Sequence, residues 1–227
     1  TTICNSTLHE LWSYGNGAGT IREYLQRKCQ QTRSHGRLVI RDVVGPENKL
    51  QEVYLLCDST DGVDSEIFRG IENQRELKAH LDSLSTFALF QRFAADFLAD
   101  ERNSGRRGSE TLIKYRMEDV AGKTYYVLRL QDAVEFMTKK AYTGNWHSEL
   151  HEEFAFWSFH EWEEELINAG FTVLNTSSST SQWSRAYTNQ WIVEHHFRGT
   201  KLYQMVGGEL QEMAYPVTNM VLVGEKR

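Results

Sequence analysis

Residues 1–44 constrain the fold more than any other stretch, because they read as strand, turn, helix and strand in one unbroken span. Thr1 to Ser6 has β-type composition, Leu8 to Trp12 reads as a polar-aromatic turn, Ile21 to Thr32 as a helix, and Arg37 to Val44 as a buried strand. Ile21, Tyr24, Leu25 and Cys29 share one helical face, the spacing of a surface helix packed on a sheet. The closing segment is mostly apolar and β-branched, as expected of a parallel strand covered on both faces. Together these segments predict half of an open α/β sheet. Thr1 to Ser6 has the character of a strand from the middle of such a sheet. The expectation is therefore a fragment, whose partner is a missing N-terminal half or another domain.

Composition narrows the function classes. With 227 residues, 40% of them apolar and 12% aromatic, the chain has enough apolar surface for a sizeable core. A net charge of −6 argues against nucleic acid as partner, since that affinity comes from clustered Lys and Arg. The one local basic cluster, Arg102 with Arg106-Arg107, sits in a glycine-serine loop and reads as solvated. Cys4, Cys29 and Cys57 are too widely spaced for a metal motif and odd in number, which suits a reducing, cytoplasmic setting. No apolar run approaches the roughly 18–20 residues that span a bilayer, so no membrane partner is expected.

Gly15 to Gly19 precedes the first helix as a nucleotide-binding glycine loop would, but no buried strand leads directly into it, and a plain loop is the better reading. Arg41-Asp42 breaks an apolar strand near its carboxyl end, where open α/β sheets bind ligands; a pocket and a local ion pair are equal readings. Residues 65–142 read as an inserted lobe. Leu84 to Leu98 carries an apolar helical stripe, Thr111–Arg116 and Thr124–Arg129 a hairpin, and Leu130 to Ala141 another amphipathic helix.

Tyr142 to Trp157 gathers Trp146, His147, His151, Glu152, Glu153 and Trp157. His147 and His151 lie four apart, yet the metalloprotease H-E-x-x-H pattern is missing, so no metal is assigned and a solvated helix is favoured. A further reading makes His147 a general base. Ser158-Phe159-His160-Glu161 has capping-box spacing, and Gly170 is expected to end that helix before Phe171 to Leu174. Asn175 to Gln182 is a serine-threonine loop without a G-x-S-x-G, which argues against a hydrolase. Trp191–Phe197 and Lys201–Val206 flank Arg198-Gly199-Thr200 as a hairpin, and Asn219 to Gly224 suits a closing strand. In a strand, His195 and His196 would face opposite sides.

The order of a first strand, His9-Glu10, a helix, Gly-Arg-Leu-Val-Ile-Arg-Asp at 36–42, and Phe-Trp-Ser-Phe-His-Glu-Trp through Ala-Gly-Phe at 156–171 resembles the C-terminal half of class I S-adenosylmethionine-dependent methyltransferases. Asn5 to Glu10 resembles the end of that family's fourth strand and 37–44 its fifth. The helix before Ala169-Gly170-Phe171 is similar to the one leading into the sixth, and the last strand resembles the seventh. The implied fold is α/β, a partial Rossmann-like methyltransferase sheet with a helical and β-hairpin insertion and a C-terminal antiparallel β extension. Its expected divisions are 1–64 and 156–227 for the core and 65–155 for the insertion, a lid or substrate lobe.

The resemblance implies S-adenosylmethionine as cofactor, with its glycine-rich loop and acidic ribose-binding residue upstream of Thr1. Asn5 and Ser6 would contact that cofactor, and His9, Glu10 and His147 are the catalytic candidates. Arg41, Asp42, Trp146, Trp157, Tyr187 and Trp191 are the candidates for binding an unidentified small-molecule acceptor. The alternative function is a non-catalytic interaction domain of a larger protein. A sheet with one unpaired edge also favours self-association.

Overall fold

The computed structural model describes residues 1–64, 70–71, 73–99, 113–175 and 183–227. The chain forms two compact units: Thr1–Lys49, Glu152–Asn189 and Pro216–Arg227 make the first, Leu50–His151 and Gln190–Tyr215 the second. It visits them alternately. The first unit opens with β1 (Thr2–Asn5), α1 (Leu8–Tyr14), α2 (Ala18–Gln31) and β2 (Arg37–Val43). The second follows with β3 (Glu52–Cys57), α3 (Gln74–Ser83), α4 (Thr86–Asp96), β4 (Tyr115–Val120), β5 (Lys123–Arg129), α5 (Leu130–Lys139) and α6 (Trp146–His151). The chain returns to the first as α7 (Phe159–Asn168), β6 (Phe171–Val173) and β7 (Arg185–Tyr187). It then adds α8 (Gln190–His195), β8 (Thr200–Val206) and β9 (Glu209–Glu212) to the second, and β10 (Asn219–Lys226) to the first. This grouping by packing differs in outline from the three consecutive segments, 1–64, 65–155 and 156–227, expected from the sequence. In particular, 50–57 and 190–215 belong to the second unit.

The first unit is built on a sheet of order β1-β2-β10-β6, with β7 also pairing β10. β1 and β2 are parallel, whereas β10 runs antiparallel to both β2 and β6. Leu38 and Ile40 of β2 alternate inward with Met220 and Leu222 of β10, and Ile21 and Leu25 of α2 and Trp162 and Leu166 of α7 join the same core. The capping box forms as read: Ser158 Oγ accepts from Glu161 N at 3.3 Å, and Ser158 N donates to Glu161 Oε2 at 2.7 Å. Gly170 ends the helix with φ +101°, a conformation natural to glycine.

The end of β2 is pinned at Gly45, whose N–H donates to Trp157 O at 2.8 Å. A Cβ there would lie 2.6 Å from Ala155 O and 2.9 Å from Ala155 C, both backbone atoms that cannot rotate away. Gly45→Ala is expected to destabilise the first unit by about 1–3 kcal/mol, the usual cost of forced overpacking. Hydrogen exchange of the β2 amides measures this, and an unchanged rate would contradict so close an approach.

The second unit holds an antiparallel sheet of order β4-β5-β3-β8-β9. The expected hairpin appears as β4-β5 and the apolar stripe of α4 is core, with Phe87 stacked on Tyr126 and Phe90 tilted against it.

Several local expectations are corrected. Leu8 to Trp12 is helical rather than a turn, because its first N–H groups find an acceptor on β2. Trp191–Phe197 begins as helix α8 instead of a strand, so His195 and His196 do not alternate across a sheet. β8 pairs β3 and, through Gly207-Gly208, β9, and not residues 191–197. β2 is not in an all-parallel setting, and Val39, Arg41 and Val43 on its other face are only partly covered or exposed. Among the described residues β1 pairs only β2 and stands at one end of the strand order, which is compatible with the open edge expected of a cut sheet. Arg102, Arg106, Arg107, Thr111, Leu112 and residues 176–182 lie outside the described residues.

Candidate functional site

The carboxyl ends of β1 and β2 lie side by side, with Asn5 opposite Arg41. At Ser6, φ +49° turns the chain sharply into α1. One residue beyond Arg41, Asp42 points to the buried side of the sheet and is 1% exposed. Its Oδ2 accepts from Leu8 N at 2.7 Å and Thr7 N at 3.1 Å, satisfying two N–H groups at the start of α1. Its Oδ1 accepts from Val43 N at 2.9 Å and meets His9 Nδ1 at 2.5 Å. One carboxylate thus fixes both the helix and the imidazole that the helix carries.

His9 is buried, with the edge of its ring toward Phe154 at 5.1 Å. Its other nitrogen, Nε2, lies 3.5 Å from Glu152 Oε2. Segments 12–14 and 152–153 are tied together around it. Trp12 Nε1 donates to Glu153 Oε2 at 2.7 Å, Ser13 Oγ accepts from Glu153 N at 2.9 Å, and Tyr14 OH donates to Glu152 Oε1 at 3.4 Å. Burial on its own lowers the His9 pKa, but the hydrogen bond and charge of Asp42, with the charges of Glu152 and Glu10, outweigh it and raise the value above 6.5. Asp42 as acceptor keeps the proton on Nδ1, so Nε2 is the nitrogen that exchanges a proton. The arrangement is an oriented imidazole of raised basicity, able to take or give a proton at one atom.

The remaining candidates are placed as follows. Asn5 and Ser6 are exposed at the end of β1, and Arg41, also exposed, donates to Asn5 Oδ1 at 3.2 Å. Glu10 is exposed on α1. Trp157 is buried beside Trp12 and Trp162, under Arg22 at 6.0 Å, and Tyr187 is half-buried beneath Arg185 at 5.5 Å. His147, Trp146 and Trp191 belong to the second unit. His147 is exposed on α6, and Trp191 is exposed and stacked on His195 at 4.5 Å. Trp146 is fully buried and donates from Nε1 to Asp96 Oδ2 at 3.0 Å.

The pairing of His9 with Asp42, and the approach of Glu152 and Tyr14, escaped sequence reasoning. The available signal was a lone acidic residue in an apolar strand, 33 positions after a histidine. The Gly15–Gly19 segment is a tight link between α1 and α2, in which Asn16 N donates to Thr20 Oγ1 at 2.7 Å and Gly19 N to Asn16 O at 3.1 Å. Among the described residues no His, Cys, Asp and Glu are grouped to hold a metal ion, and no helix is long and apolar enough to cross a membrane. No family model, curated protein or solved structure matches the chain.

Proposed function

We propose that this chain is the acceptor-side half of an S-adenosylmethionine-dependent methyltransferase, with His9 as its general base. The observation that carries the reading is the first sheet. The segments likened to that family's fourth, fifth, sixth and seventh strands, namely β1, β2, β6 and β10, lie in one sheet, the last of them antiparallel between β2 and β6. The Rossmann-like character of that sheet is part of the same proposal. Donor-binding strands would pair along the outer edge of β1, so Asn5 and Ser6 at its carboxyl end would border the cofactor.

The cofactor, when bound, supplies an electrophilic methyl group on sulfur. The chain's own residues would act on the acceptor. His9 Nε2 would accept the proton of the acceptor's hydroxyl or amine, and Asp42 would stabilise the imidazolium formed. Glu152, 3.5 Å from Nε2, would receive the hydrogen bond of the protonated ring. Alignment of acceptor and methyl group would supply most of the acceleration, as is general for in-line displacement.

Calorimetric titration of S-adenosylmethionine tests this. Binding is expected for a longer polypeptide that supplies strands along β1, with little or none for residues 1–227 alone. Absence of binding by the longer protein as well would end the methyltransferase reading.

A further inference from the structure

We infer that the second unit binds a small organic anion, a phosphate ester or carboxylate on a short apolar stem, in a cleft at the end of the sheet face turned away from α4. One face of this sheet packs on α4, where Phe87 and Phe90 meet Tyr126. The opposite face carries Tyr54, Tyr125, Val127, Leu56 and Tyr203 as a second apolar cluster. At the end of this face lies a cleft of about 360 Å³, floored by Leu56 and Cys57 and bordered by Lys123, Lys201, Ser59 and Gly199. That size falls within the range of about 300–1,000 Å³ typical of small-molecule sites.

The register puts both lysines on the same face. Lys201 stands directly opposite Leu56 on β8, and Lys123 is two residues from Tyr125 on β5. Two lysines therefore stand on this face, one on each of the strands that flank β3, and both line the cleft. Lys201 bonds Glu212 at 3.1 Å, which leaves further donors on its ammonium, and Lys123 has no ion pair among the described residues.

Asp58 itself lines the cleft, and its carboxylate, though hydrogen-bonded, keeps its negative charge, so the lysines must outweigh it. Asp58 Oδ1 accepts from Thr60 N and Oγ1, both at 2.8 Å, and these bonds hold its carboxyl below the usual range. Asp61 accepts from Thr86 N at 2.7 Å and Oγ1 at 2.6 Å. Behind the floor, the buried Lys140 and the exposed Arg198 add positive charge near Cys57.

The end wall is pre-formed. Asp58 N donates to Gly199 O at 2.8 Å, and Phe87 N donates to Asp58 O at 3.0 Å. Gly199, at φ +77°, brings the loop so close that a Cβ would lie 2.6 Å from Thr86 Oγ1. A ligand would enter a wall that needs no ordering, which favours binding by a small molecule. Its charged head would sit between the lysines and its stem on Leu56.

Phenyl phosphate, hexanoate and neutral phenol are the probes, titrated into the intact chain while backbone amide shifts are followed. Saturable shifts at Leu56, Ser59 and Thr200 are expected with one or both anions, and the stronger of the two identifies the head group. Phenol should bind at least roughly tenfold more weakly, and Lys123→Ala or Lys201→Ala should each weaken the anion by about tenfold, the loss of one charge-assisted contact. Both lysines are exposed, so the fold should survive, and the untitrated spectra of the variants check this. Failure of both anions to saturate, equal binding of phenol, or unchanged affinity in the double variant would each overturn the proposal. No methyl donor is present in this experiment, so its outcome is separate from that of the methyltransferase reading.

Discussion

Replacing Asp42 with alanine should cost the first unit about 3–5 kcal/mol, the range for removing one partner of a buried charged pair. The residue is 1% exposed and serves four donors: Thr7 N, Leu8 N, Val43 N and His9 Nδ1. Alanine would orphan buried groups and release the start of α1 in one step. Asp42→Asn retains one acceptor oxygen and should lose less, while turning an amide toward at least one N–H donor. Hydrogen exchange at α1 and β2 amides separates this loss from events in the second unit.

The same variants test the electrostatics of His9. Its folded pKa is raised above 6.5, so the pair contributes in full below the unfolded value near 6.5 and is lost as pH rises through the folded one. The first unit should therefore become less stable from pH 6.5 upward, and that slope should flatten in Asp42→Asn. In the variant, burial is opposed only by Glu152 and Glu10, so the His9 pKa should fall, as followed by its ring proton shifts. An unchanged His9 titration would show that Asp42 does not govern it.

Trp162→Ala should cost about 3–5 kcal/mol, as expected for emptying a fully buried aromatic position. The indole is 0% exposed and packs between Trp157 at 4.9 Å and Phe156 at 5.6 Å. Its Nε1 has no hydrogen-bond partner among the described residues. A buried donor without a partner costs about 1–3 kcal/mol, similar in size to the packing lost on shrinking the ring. Trp162→Phe should therefore leave stability within about 1 kcal/mol of the parent, because the two effects oppose each other. If phenylalanine proves as costly as alanine, the orphaned N–H carries no penalty and packing alone sets the value.

The elements readable from the sequence are those whose signals are local. Ser158, Glu161 and Gly170 mark both ends of α7 within 13 residues, and each performs the role its type and spacing imply. Ile21 and Leu25 likewise define the buried face of α2. α1 was hidden because what stabilises its first turn is the Asp42 carboxylate, 34 residues from Leu8 in sequence. α8 was hidden for a related reason. Trp191 to Phe197 has β-type residues, but β8 finds its partners in β3 and β9, so both edges of the strand it was expected to pair with are taken.

The candidate site divides in the same way. His9 and Asp42 each drew attention as a polar residue at a strand end, yet neither identified the other, because adjacency across parallel strands leaves no fixed spacing. The sequence sets Glu152 beside His147 and His151, its neighbours along the chain. In the structure it faces His9, 143 positions earlier, and no local pattern encodes that.

β10 lies between two partners inside the first sheet, yet it follows every other strand of that sheet in chain order. On a ribosome, β1 and β2 emerge early, while the pairing edge that β2 offers to β10 stays open until both passages through the second unit have been synthesised. Closing so long a loop is slow, and an open strand edge invites pairing with other chains in the meantime. The second unit, whose first long segment supplies β3, β4 and β5, can organise three neighbouring strands of its sheet well before that point. The first unit is therefore expected to be completed last, although β1 and β2 are made before any strand of the second unit.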